Sequence, residues 1–176
     1  MAKSPDGVLI YKSRYGATQQ YAEWIKKELR IPMIDPERLD EQVFSACDFL
    51  IIGTPVYMGE MLIKEWLWQN EQRLRSKRLI LFVVCTHYAD KEKQEAMIND
   101  NIPAGLLASC HFHFLPGRLC VGKLTPEDAR HLGLESLSQT RQEDQETSAH
   151  SKQIYQENLV PLLTSVFATR FREAEG

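Results

Sequence analysis

The densest group of residues able to do chemistry is the hexapeptide Ser13-Arg14-Tyr15-Gly16-Ala17-Thr18. It joins a short apolar run, Gly7 to Tyr11, to the start of a helical pattern. It offers two hydroxyls, a glycine that lets the backbone curl, and the N–H groups that every helix leaves unbonded at its start. A curl of this kind is an anion nest suited to a phosphate monoester. The chain has no GxxxxGK[ST] segment and no GxGxxG segment, so neither a P-loop nor a dinucleotide fingerprint is present. A phosphate site without those signatures favours a mononucleotide. The same six residues also satisfy an ordinary strand-to-helix turn with a capped helix, and the hexapeptide alone leaves both readings open.

Other reactive side chains carry weaker patterns. His111 and His113 stand at i, i+2 and share one side of a strand. No carboxylate or thiol at ligand spacing accompanies them, so no metal site is expected and a structural role is. The four cysteines, Cys47, Cys85, Cys110 and Cys120, show no CxxC spacing. In a chain of this length they read as reduced thiols, which favours an intracellular location. Cys85 closes an apolar run and reads as a small buried filler beside its redox-active alternative.

The elements that must hold these residues follow from apolar periodicity. Buried runs at Gly7–Tyr11, Phe49–Ile52, Leu79–Val84 and Ser109–Leu115 predict strands, with a short one at Met33–Asp35. Tyr21, Ala22, Ile25 and Leu29 predict a helix that Pro32 stops, and Leu62, Ile63, Trp66 and Leu67 predict another that runs toward Leu74. Lys91 to Asn101 is a third, and Pro36 to Phe44 reads as a loop with a helical turn. From Arg118 to His150 the chain is strongly polar, with Thr125-Pro126-Glu127-Asp128 marking a helix start. A last helix is expected over 151–171, kinked or restarted at Pro161. Trp24, Trp66 and Trp68 read as packing residues. The whole is one domain, residues 1–176, with an insertion at about 118–150 before the last helix. Alternating strands and helices build an α/β fold, a parallel sheet of five strands with helices on both faces. Ligands of such sheets sit at the carboxyl ends of the strands.

Three loops meet that edge, and there the sequence resembles the flavodoxin-like superfamily. Ser13, Gly16 and Thr18, after Leu9-Ile10-Tyr11, look like the superfamily's phosphate-binding loop. Gly53-Thr54-Pro55-Val56-Tyr57-Met58-Gly59 is similar to the GxPxYxG segment of flavodoxin-like proteins and flavin-dependent quinone reductases. The resemblance covers roughly 7–115 and the final helix. It implies a three-layer sandwich with strand order 2-1-3-4-5 and a bound FMN. The implied cofactor contacts are Ser13, Arg14, Tyr15, Gly16, Ala17, Thr18, Thr54, Pro55, Val56, Tyr57, Met58, Gly59, Thr86, His87 and Tyr88. Tyr57 would lay its ring against the isoalloxazine, and Tyr88 or His87 would cover the other face. His87 also reads as a solvated loop histidine. Within the superfamily the chain is similar to the menaquinone-linked protoporphyrinogen oxidase branch, which shares the glycine–threonine phosphate loop and a long insertion before the last helix.

Composition bounds the function. An apolar share of 43% with 26% charged residues is that of a globular protein. A net charge of −3 leaves no electrostatic footprint for nucleic acid. The first residues lack the apolar run of a secretory signal, and no stretch approaches ~20 apolar residues, so a cytoplasmic protein is expected, with peripheral membrane contact left open. Two functions remain. One is an FMN oxidoreductase with no identified catalytic residue, coupled to a redox partner or quinone and acting on a small-molecule substrate such as a porphyrinogen. The other is a flavodoxin-type electron shuttle, for which strong acidity would be usual. A fold that has lost its cofactor and serves only as an interaction module is a third.

Overall fold

Residues that alternate along the central strands face two different cores, which explains why these strands read as unbroken apolar runs. A computed structural model describes residues 6–117, 125–131 and 154–172. Its elements in chain order are β1 (Gly7–Tyr11), α1 (Ala17–Leu29), β2 (Met33–Ile34), α2 (Glu41–Ala46) and β3 (Phe49–Tyr57). There follow β4 (Glu60–Met61), α3 (Lys64–Gln69), α4 (Glu71–Leu74), β5 (Arg78–Cys85), α5 (Lys91–Asn101) and β6 (Cys110–Pro116). Last come α6 (Pro126–His131) and α7 (Val160–Arg172). The sheet runs β2-β1-β3-β5-β6, all parallel, and β4 pairs antiparallel with the end of β3. Setting β4 aside, this is the expected five-strand order.

Val8, Ile10, Leu50, Ile52, Leu79, Leu81 and Val83 point into one core, closed by Phe44 of α2, Trp66 and Leu67 of α3 and Leu74 of α4. Leu9, Ile51, Ile80, Phe82 and Val84 point into the other, closed by Tyr21, Ala22, Ile25 and Leu29 of α1 and by Leu162 and Val166 of α7. Three layers result: α1 and α7, the sheet, and α2 to α5. Each aliphatic side chain buried there stabilises the fold by about 1.5–3 kcal/mol, so two covered faces make the sheet the rigid platform of the molecule.

Four local differences from the periodicity have physical causes. The polar stretch before β3 contains α2, because Asp40 caps it by accepting the Val43 N–H at 2.8 Å and Phe44 supplies its buried contact. Strand β3 runs five residues past Ile52 to Tyr57, since Gly53, Thr54 and Pro55 continue the ladder with β5. The helix expected toward Leu74 breaks at Asn70, whose Nδ2 donates to the Trp66 carbonyl at 2.8 Å. The last helix starts afresh at Val160 with Pro161 in its first turn, after a 3-10 turn at Gln156–Leu159, as an imino residue requires. Of the insertion, the structure describes 125–131. Arg118, Lys123 and the polar stretch 139–148 lie outside the described residues, as does the part of the last helix placed at 151–153. No helix among the described residues is long and apolar enough to cross a membrane.

Candidate functional site

Because β1, β3 and β5 are parallel neighbours, the segments that follow them meet at one edge. The first and third are the expected loops, whereas the second, expected at 53–59, is the end of β3 with a two-residue turn; the first segment is Ser13 to Gly16. Gly16 has φ 93°, a left-handed conformation that favours glycine, and open space around the position its Cβ would take. Its N–H donates to Ser13 Oγ at 3.3 Å. The α1 ladder starts with the Gln20 N–H donating to the Gly16 carbonyl at 3.0 Å, so the N–H groups of Ala17, Thr18 and Gln19 stand ahead of it. Among the described residues no side chain caps this helix and no acidic residue sits in its first turn. The helix start therefore keeps its partial positive charge uncompensated. Thr18 is buried, and its Oγ1 has no hydrogen-bond partner among the described residues. A buried hydroxyl left unpaired is costly, and a ligand oxygen placed there would relieve that cost.

The second segment is the end of β3 and its turn. Thr54 is buried and spends its hydroxyl inside the protein, donating to the Pro55 carbonyl at 3.0 Å and accepting the Ile63 N–H at 3.3 Å. It shapes the path of the strand. Pro55, Val56 and Tyr57 are half-buried, and Met58 and Gly59 form the exposed tip. The third segment, Thr86 to Ala89, is a turn in which Thr86 and His87 are exposed and Tyr88 is half-buried. His87 lends its carbonyl to the Asp90 N–H at 3.1 Å, and Asp90 then caps α5 by accepting the Lys93 N–H. Tyr21 ties the first segment to the sheet edge: its hydroxyl donates to the Pro116 carbonyl and accepts from Asn158 Nδ2, both at 3.0 Å.

The insertion joins this edge through Asp128, which the sequence reading did not single out. Arg14 Nη2 reaches Asp128 Oδ1 at 2.8 Å and Oδ2 at 2.9 Å, and Arg14 Nε reaches Oδ2 at 3.2 Å. The Tyr57 hydroxyl donates to the same carboxylate, which is 1% exposed. The Arg14 guanidinium lies 4.3 Å from the centroid of the Tyr57 ring. One side chain of α6 thus links the first and second loops. An acid at this place in the sequence announces only a helix N-terminus, where Thr125 indeed caps it by accepting the Asp128 N–H at 3.1 Å. Its long-range partners, 114 and 71 positions away, leave no local trace. Asn101, buried at the end of α5, likewise bonds residues 40 and 42 positions away.

The remaining candidates sit elsewhere. Burial pushes the Cys85 thiol up to about 11 and the Cys110 thiol up to about 12, so both are inert fillers at neutral pH. Burial, reinforced by neighbouring His111, lowers the pKa of His113, and its Nε2 is buried without a partner among the described residues. Among the described residues no three acid, histidine or cysteine side chains gather as a metal site.

Solved structures similar to this chain include a two-electron-reduced flavodoxin of Megasphaera elsdenii, at TM-score 0.47 and 14% identity, covering 75% of this chain and 98% of that one. A flavoprotein of Lactobacillus acidophilus in complex with FMN matches at TM-score 0.43 and 16% identity, over 64% of this chain and 91% of that one. The flavodiiron core from a Synechocystis species matches at TM-score 0.46 and 13% identity over 77% of this chain, which spans only 36% of that longer one. No curated protein matches the sequence. The flavodoxin domain model matches residues 8–134, a span that runs from Val8 of β1 through α6 and takes in all three segments of this edge, and the chain belongs to the flavodoxin-domain family.

Proposed function

We propose that the chain is an FMN-binding flavoprotein oxidoreductase whose site is the edge formed by Ser13–Thr18, Thr54–Gly59 and Thr86–Tyr88. The observation that carries this reading is the uncapped start of α1 beside the unpaired Thr18 hydroxyl. Both are donors without acceptors at one point, which is what the dianionic end of a phosphate monoester needs. Ser13, Arg14, Tyr15, Gly16, Ala17 and Thr18 hold the phosphoryl end. Pro55, Val56, Tyr57, Met58, Gly59, Thr86, His87 and Tyr88 surround the ring, with Thr54 setting the loop's path. FMN, when bound, supplies transfer of one or two electrons, and the protein supplies binding, orientation and exclusion of water.

Enzyme action is favoured over a bare electron shuttle by the insertion. Its α6 packs a buried carboxylate against the first loop and the end of β3, and such cover would shield a small substrate beside the ring from water. The weak net charge of −3 also gives little steering toward a basic redox partner. The finer assignment we propose is quinone-coupled oxidation of a porphyrinogen-like substrate, with peripheral contact to the membrane that holds the quinone.

Titration of the purified protein with FMN, followed by quenching of flavin fluorescence, tests the cofactor. We expect one site with a dissociation constant of about 1 μM or tighter; a protein that takes up none at saturating FMN refutes the reading. Anaerobic turnover of protoporphyrinogen with a menaquinone analogue, set against reduction by a ferredoxin reductase, tests the chemistry.

A further inference from the structure

The turn between β3 and β4 consists of Met58 and Gly59, with φ 50° and 82°. Two positive φ values at the centre of a two-residue hairpin form the mirror-image turn that asparagine and glycine adopt readily and methionine does not. The Met58 side chain is 62% exposed, so its own packing does not hold it there. A backbone in a sparsely populated region persists only where its surroundings over-determine it. Beside the short ladder of the hairpin itself, those surroundings include Asn101.

Asn101 is fully buried at the end of α5. Its Nδ2 donates to the Gly59 carbonyl at 3.0 Å and to the Met97 carbonyl at 2.8 Å. Its Oδ1 accepts the Met61 N–H at 2.9 Å. The same residue's carbonyl accepts the Trp68 indole N–H at 3.1 Å, which fixes this end of α5 against α3. One side-chain amide therefore bonds the turn itself and the arm that leaves it. The other arm carries Tyr57, which pairs with Glu60 across the hairpin.

We propose that Asn101 is a positioning residue of the candidate site, which grips the Met58–Gly59 turn and holds Tyr57 and Met58 in their binding geometry. The grip stands on the hydrogen bonds alone; its effect on FMN rests on the function proposed above.

The test uses the full-length chain with Asn101→Ala. Amide exchange at Glu60 should quicken about tenfold while Leu50 and Leu81, in the sheet, keep their wild-type protection. Adding Met58→Gly, which removes the left-handed penalty, should bring Glu60 back to within about threefold of wild type. A merely structural asparagine would not be rescued by that change. Affinity for FMN should fall about tenfold in Asn101→Ala. Unchanged exchange at Glu60 overturns the grip, and unchanged FMN affinity beside a faster Glu60 overturns its role for the ligand. A wild-type chain that takes up no FMN overturns the flavin reading instead, and the exchange measurement still decides Asn101. If Asn101→Ala does not fold, Asn101→Ser, too short to reach either arm, gives the same readings.

Discussion

Arg14 stacks its guanidinium 4.3 Å from the ring centroid of Tyr57, and both side chains end on one buried carboxylate, Asp128. The first loop, the end of β3 and α6 are thereby tied to one carboxylate. The arrangement also limits the proposed site: the ring face under Arg14 is taken, which leaves a ligand ring only the other face or the edge of Tyr57.

The pair should be energetically coupled. Removing one partner of a buried ion pair costs about 3–5 kcal/mol, but Arg14 is 36% exposed and water discounts that figure. A double-mutant cycle over Arg14→Ala and Asp128→Ala should give a coupling of about 1–2 kcal/mol in chemical denaturation. A coupling near zero would show that the Arg14–Asp128 pair adds nothing to the docking of α6, leaving only the Tyr57 bond to the carboxylate.

Thr18 offers a prediction of opposite signs. Its unpaired buried hydroxyl destabilises the ligand-free protein by about 1–3 kcal/mol, so the near-isosteric Thr18→Val should raise the melting temperature of that form. The same change should weaken FMN binding by about 10- to 100-fold, the worth of a hydrogen bond to a charged group. Parallel changes in both quantities would mark Thr18 as an ordinary core residue.

Gly16 and Tyr88 separate the phosphate end from the ring end. A branched side chain at φ 93° is strained by about 1–2 kcal/mol or more, and it disturbs the amides that face the anion. Gly16→Val should therefore cost about tenfold or more in FMN affinity, and Tyr88→Ala distinctly less. Equal losses in fluorescence titration would count against the anion nest.

Acid sensitivity should trace in part to His113. Its folded-state pKa lies below the ordinary value of 6.5 because burial disfavours the charged ring. The unfolded chain then binds more protons between the two values, so stability is full above about pH 6.5 and falls as the pH drops toward the folded pKa. His113→Leu should flatten that stretch of the curve between about pH 7 and 5, measured by urea denaturation. A parallel curve in the variant would contradict the assignment.

The thiols should be slow. With Cys85 held up to about 11 and Cys110 up to about 12, iodoacetamide at pH 8 should label each at least about 100-fold more slowly in the native protein than in denaturant. Rapid native labelling of Cys85, read by mass spectrometry, would reopen a redox role for it.

Sequence alone determined the five parallel strands and their order, the gathering of three segments at one sheet edge and the curl at Gly16. Each is written in neighbours: apolar runs that need cover on two faces, helical spacing at Tyr21, Ala22, Ile25 and Leu29, a glycine where only a left-handed residue fits. Local chemistry also announced the helix at Pro126 and the restart at Pro161. Tertiary structure decided what those pieces do to one another. The hydroxyl of Thr54 bonds the Pro55 carbonyl and the Ile63 N–H, partners its place in the sequence does not announce. Asp128 read as a helix-start acid and became the carboxylate that binds Arg14 and Tyr57. Asn101 read as nothing, and its side-chain amide bonds the Gly59 carbonyl 42 positions away. Pairing over such separations depends on how packed layers bring side chains within 3 Å of one another, and no spacing along the chain encodes that distance.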